Sequence, residues 1–207
     1  MGNGDRFALG FVCMMLCVIV PLVVLLRREN KSRTYEVLSI LVIYAVWYVT
    51  NVSFHEGSHY LGCLLTGVQI TEVRLIPHVW QGDWVAYVHT PKMTWGQGAV
   101  SIPAPYVLDL VSLLVGVLLL RAPGKKGPFL TAMLLMLFCL RPLFDIVSNF
   151  AGFVVWNQGD FQEMTALFGG AAVYGAGAAL CSAALGTVGY LLMRGRRPGQ
   201  QSGAALN

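Results

Sequence analysis

His55-Glu56-Gly57-Ser58-His59 lies within an apolar stretch that runs from Tyr35 to Thr66. On a helix the two histidines stand at i and i+4, so both imidazoles project from one face and can hold one Zn²⁺. Glu56 sits beside them, placed to take a proton from water. The helix that carries the motif spans about 45 Å at 1.5 Å per residue, enough to cross a bilayer with one end protruding or the axis tilted. Gly67 marks its stop. The stretch therefore points to two things together, a membrane-spanning helix and a hydrolytic zinc site carried on it.

The composition supports the first of these without reference to the motif. Of the 207 residues, 56% are hydrophobic and 12% charged, whereas a soluble domain carries about 25% charged residues. Five spans are expected: Phe7 to Leu26, Tyr35 to Thr66, Gly98 to Leu120, Pro128 to Trp156, and Met164 to Met193. Between the second and third, Val68 to Leu75 alternates apolar and polar residues. Gln81-Gly82-Asp83 supplies a turn, and Trp84 to Val88 returns rich in β-formers, so residues 68–90 read as a β-hairpin. Trp80, Trp84, Tyr87 and Trp95 suit a hairpin lying at the membrane interface. The fold class is thus an all-α polytopic membrane protein of about five transmembrane helices with a small interfacial β-hairpin after the motif helix. It forms a single membrane-embedded domain, with a catalytic core over 35–156, a last helix over 164–193 and a disordered tail over 198–207.

The net charge of +4 is no sign of nucleic-acid binding, because the cations cluster at the ends of apolar segments. Arg27, Arg28, Lys31 and Arg33 follow the first span, Arg121, Lys125 and Lys126 the third, and Arg194, Arg196 and Arg197 the fifth. With five spans all of these fall on one side, which predicts a cytoplasmic carboxy terminus and an amino terminus and hairpin on the opposite side. Cys13, Cys17, Cys63, Cys139 and Cys181 are scattered with no C-x-x-C spacing and read as packing residues. Ala178, Ser182 and Gly186 recur every four positions, which would permit close helix packing or reflect only a helix rich in small residues.

A catalytic zinc needs a third protein ligand at matching depth. Spans two and four run in the same direction, and His55 and Asp145 both lie about 25 to 30 Å of helical rise from their starts. Asp145 is therefore the expected third ligand. Arg141, four residues earlier on the same face, offers it a competing buried ion pair. Asp160 could ligate if its loop folds back, or could serve as a polar turn or helix cap. Asp109, near the start of span three, reads equally as a cavity-lining group or a solvated helix-start acid. Asn51, four residues before His55, shares its face and could polarise the site. His78 and His89 are not spaced as a pair and read as surface histidines.

The stretch His55-Glu56-Gly57-Ser58-His59-Tyr60-Leu61-Gly62-Cys63-Leu64-Leu65-Thr66-Gly67 resembles the zinc-binding helix of the site-2 protease family of intramembrane metalloproteases. The order of parts is also similar over roughly residues 36 to 156: motif helix, short β region, Pro-bearing apolar helix, then a helix bearing an aspartate. The resemblance implies a three-helix core with His55, His59 and Asp145 as zinc ligands and Glu56 as general base. Its substrates would be membrane-spanning or membrane-associated proteins within the lipid bilayer. The segment Arg141-Pro142-Leu143-Phe144-Asp145-Ile146 departs from the family pattern, with no glycine after the aspartate, and is closer to small, divergent members with a later aspartate, here Asp160. No soluble stretch is long enough for an inserted PDZ-like domain. The alternative is a non-proteolytic zinc-binding membrane protein: a pseudoprotease, sensor or transporter.

Overall fold

The computed structural model describes residues 3–27, 32–77, 86–124 and 126–194. Nine helices and two short strands follow in order among them: α1 (Asn3–Met14), α2 (Val20–Arg27), α3 (Arg33–Thr66), β1 (Glu72–Arg74), β2 (Tyr87–His89), α4 (Trp95–Ser101), α5 (Ala104–Arg121), α6 (Pro128–Leu135), α7 (Arg141–Trp156), α8 (Asp160–Phe168) and α9 (Gly170–Arg194). Two π-helical turns join consecutive helices into single rods, Met15–Ile19 between α1 and α2 and Met136–Leu140 between α6 and α7. Each precedes a proline, Pro21 or Pro142. A proline has no N–H to donate and its ring crowds the carbonyl four residues back, so a wider turn there relieves both faults without ending the helix.

Five helical segments are long and apolar enough to cross a membrane: Ala8–Arg27, Arg33–Thr66, Trp95–Arg121, Pro128–Trp156 and Gly170–Met193. The second starts where Ser32 Oγ accepts from the Tyr35 N–H at 3.3 Å and ends at Gly67, whose left-handed backbone closes the last turn, as the sequence predicts. The fourth span is the most enclosed, with Met136, Cys139, Leu140 and Ile146 all fully buried. It is the post around which the others pack. Large residues on the outer helices, among them Leu41, Leu65, Leu114 and Leu118, remain exposed, a distribution that suits lipid and not water.

Among the described residues the hairpin pairs three residues on each strand. Glu72, Val73 and Arg74 pair antiparallel with His89, Val88 and Tyr87. The expected turn at Gln81-Gly82-Asp83, together with His78, Trp80, Trp84, Arg28, Lys31, Lys125, Arg196, Arg197 and the tail 198–207, lies outside the described residues.

Two sequence expectations change. The last span does not begin at Met164, because the chain breaks at Gly169, where φ is +84°, a backbone that residues with a Cβ rarely adopt. Residues Asp160–Phe168 become a separate short helix that leads into the spanning helix. The small residues Ala178, Ser182 and Gly186 face outward, while Val173, Ala184 and Val188 on the same helix are buried. Among the described residues that stripe therefore is not a buried helix–helix seam.

Candidate metal centre

The centre forms where α3, α4, α5, α7 and α8 meet. Helical spacing puts His55 and His59 on one face of α3, their rings 4.9 Å apart. Each ring is held from behind through Nδ1. His55 Nδ1 donates to Asp145 Oδ2 at 2.8 Å, and His59 Nδ1 donates to the Ser101 carbonyl at 2.9 Å. A carbonyl can only accept, so the His59 tautomer is fixed with Nε2 free to ligate. Both Nε2 atoms then converge on one oxygen, Asp160 Oδ2, each at 3.2 Å.

Each of those two separations matches a tetrahedral zinc, whose ligand atoms at about 2.0 to 2.1 Å from the metal stand about 3.3 Å from one another. His55, His59 and Asp160 each offer a ligand atom, all within 4.8 Å of one another. The chemistry of the donor set, two imidazoles and a carboxylate with the imidazoles braced by an acid and a carbonyl, fits Zn²⁺. Burial pushes the Asp160 carboxyl up, but the facing His55 and His59 imidazoles outweigh that and hold it well below the usual carboxylate range. Tyr106 donates its hydroxyl to the same Oδ2 at 3.0 Å.

Asp145 therefore occupies a different place from the one expected for a third ligand. It touches His55, but on Nδ1, and it does not belong to the converging group. Asn149, one turn along α7, clamps it by donating from Nδ2 to Asp145 Oδ1 at 3.1 Å. The competing Arg141–Asp145 ion pair is not formed at contact distance either. Arg141 Nη2 meets Asp109 Oδ1 at 2.9 Å, and Asp109, far from being a solvated helix-start acid, is completely buried. Asn51 shares the His55 face, yet its Oδ1 is buried without a hydrogen-bond partner.

Glu56 lines an open cavity of about 350 Å³ with His59 and Asp160. The far wall is the hairpin, through Tyr87, Val88 and His89. His89 is exposed, as a surface histidine should be, and its Nδ1 stands 3.5 Å from Glu72 Oε2. Glu163, one turn after Asp160 on α8, also faces this space.

Four contributors to the centre went unremarked in the sequence: Ser101, Tyr106, Asn149 and Gly62. The last works by absence. A Cβ at Gly62 would lie 2.8 Å from the Ser101 Cα, so only glycine lets α4 approach α3 closely enough for the Ser101 carbonyl to reach His59. Gly62→Ala is expected to push α4 outward, costing about 1 to 3 kcal/mol of stability and about tenfold in metal affinity. Thermal unfolding and a zinc titration on the same protein check both effects. Asn149 had a legible signal, since Arg141, Asp145 and Asn149 recur at i, i+4 and i+8 as a polar stripe on an apolar helix.

Comparison of the chain with protein-family models, with curated proteins and with solved structures finds no match.

Proposed function

We propose that this protein is an intramembrane zinc metalloprotease that hydrolyses peptide bonds of membrane-spanning or membrane-associated proteins. The observation that carries the reading is the convergence of His55 Nε2, His59 Nε2 and Asp160 Oδ2, with both imidazoles braced through Nδ1. His55, His59 and Asp160 would hold the metal, and Asp145 would orient His55 as an outer-shell carboxylate.

When bound, Zn²⁺ supplies Lewis acidity toward a peptide carbonyl and toward water. Glu56 takes the proton from the attacking water and returns it to the leaving nitrogen, a role that suits a carboxylate beside the ligand group but outside it. Tyr106 keeps Asp160 aimed. The cavity between Glu56 and the hairpin is open and partly polar, which gives water a path, and β2, which pairs only with β1 among the described residues, offers an extended peptide a strand to pair with. A helical substrate must unwind before its carbonyl is accessible, and strand pairing compensates the lost hydrogen bonds. The distribution of Lys and Arg supports placing the hairpin on the non-cytoplasmic side.

The test is to reconstitute the purified protein in vesicles with a membrane-spanning reporter and follow cleavage with zinc present, removed by chelator, and restored. The expected result is about one zinc per chain and cleavage that disappears and returns with the metal. Zinc bound at full stoichiometry with no cleavage of any membrane reporter would favour the non-proteolytic alternative, a sensor or transporter using the same ligands.

A further inference from the structure

Arg141 and Asp109 are the most expensive side chains in the spanning helices, 2% and 0% exposed. Their contact is not one that stability alone would select. Arg141 Nη2 and Asp109 Oδ1 approach to 2.9 Å as an ion pair, but among the described residues neither carboxylate oxygen of Asp109 and neither Nη of Arg141 makes a well-formed hydrogen bond. A buried pair so incompletely satisfied is commonly no more stable than apolar residues of the same volume, and more so in a span suited to lipid. The connections of Arg141 explain what it does instead. Its guanidinium lies 3.9 Å from the ring centroid of Phe54, the residue before His55 on α3. Its partner Asp109 is on α5, one turn after Tyr106, and Arg141 itself is one turn before Asp145 on α7. Its Nε donates to the Leu137 carbonyl at 3.3 Å, within the π-helical turn that aims α7.

We infer that Arg141 and Asp109 are positioning residues of the metal centre, a clamp that fixes α3, α5 and α7 relative to one another so that His55, Tyr106 and Asp145 meet in register. The inference rests on the metal-centre reading of the proposed function and assigns it an outer layer. Phe54 transmits position to His55 through one peptide unit, and Asp109 does the same for Tyr106 through one helical turn. Arginine is required because a planar guanidinium can stack on a ring and reach a carboxylate at once, which an ammonium cannot.

The experiment uses the full chain in detergent and Co²⁺ as the probe, reading affinity and the ligand-field spectrum, with thermal unfolding alongside. In the double variant Arg141→Met, Asp109→Leu the expected result is an unfolding midpoint at or above that of the parent, with Co²⁺ affinity lowered about tenfold and an altered spectrum. Unchanged affinity and spectrum in that variant would overturn the inference and leave the pair a structural one. Should the double variant fail to fold, Arg141→Lys carries the test, since it keeps the charge and loses the stack. It too is expected to lose affinity, and parental Co²⁺ binding would refute the clamp. A parent protein that takes up no Co²⁺ at all removes the metal-centre reading itself, and the inference falls with it, an outcome distinct from a parent that binds and variants that bind equally well.

Discussion

Asp160→Asn is expected to lower zinc affinity by more than about 100-fold, whereas Asp145→Asn lowers it only about tenfold, the smaller figure being typical of groups that touch a ligand and not the metal. The difference follows from which nitrogen each acid meets. Asp160 Oδ2 stands before both Nε2 atoms at 3.2 Å, and Asp145 Oδ2 stands behind His55 on Nδ1 at 2.8 Å. An amide at 145 still offers an oxygen to the Nδ1–H, so part of the orienting contact survives. At 160 the amide takes away the negative charge that metal ligation uses. Zinc content and a competition titration on the two proteins decide the matter, and the reverse ranking would return Asp145 to the ligand position.

Glu56→Gln should leave zinc content unchanged and reduce the cleavage rate by about 10² to 10⁴, the range that a positioned general base contributes. Glutamine keeps the shape of the side chain, so the fold and the ligand set are undisturbed, but it cannot carry a proton away from water. The measurement is the rate constant in the reconstituted reporter assay at saturating zinc, paired with metal analysis. A variant that holds zinc and cleaves at the parental rate would remove Glu56 from the mechanism.

The sequence revealed the helices because their signals are local. Apolar length, the Ser32 and Gly67 caps and the basic clusters each act within a few residues, and the i, i+4 spacing of His55 and His59 is a property of one helix. The acid that faces both imidazoles was harder. A depth argument along spans two and four correctly brought Asp145 to His55 but could not say which imidazole nitrogen it would meet, since that depends on ring orientation. Asp160 opens α8, which the positive-φ turn at Asn157 and Gly159 starts and the break at Gly169 separates from the last span, a break that the apolar pattern from Met164 onward concealed. The Arg141–Asp109 pair likewise joins residues more than thirty positions apart in the chain, and nothing in the intervening residues announces it. The i, i+4 relation of Arg141 to Asp145 was true of the helix and misleading about the partner.

The π-helical turn at Met136–Leu140 separates the length of its span from the directions in which its two halves point. A wide turn holds one residue more than the α-helical lattice would, so everything beyond it is displaced by one position, or about 100° around the axis. On an unbroken helix of the same sequence, Asp145 and Asn149 would swing by that angle relative to Met136 and Leu135, and the acid would leave His55. Loss of a single residue inside 136–140 is thus the kind of length change this span can absorb with both faces preserved, and the same loss a turn later would misalign the acid. Insertions and deletions, which ordinarily scramble a buried helix, have here a place where the architecture is already out of step by one.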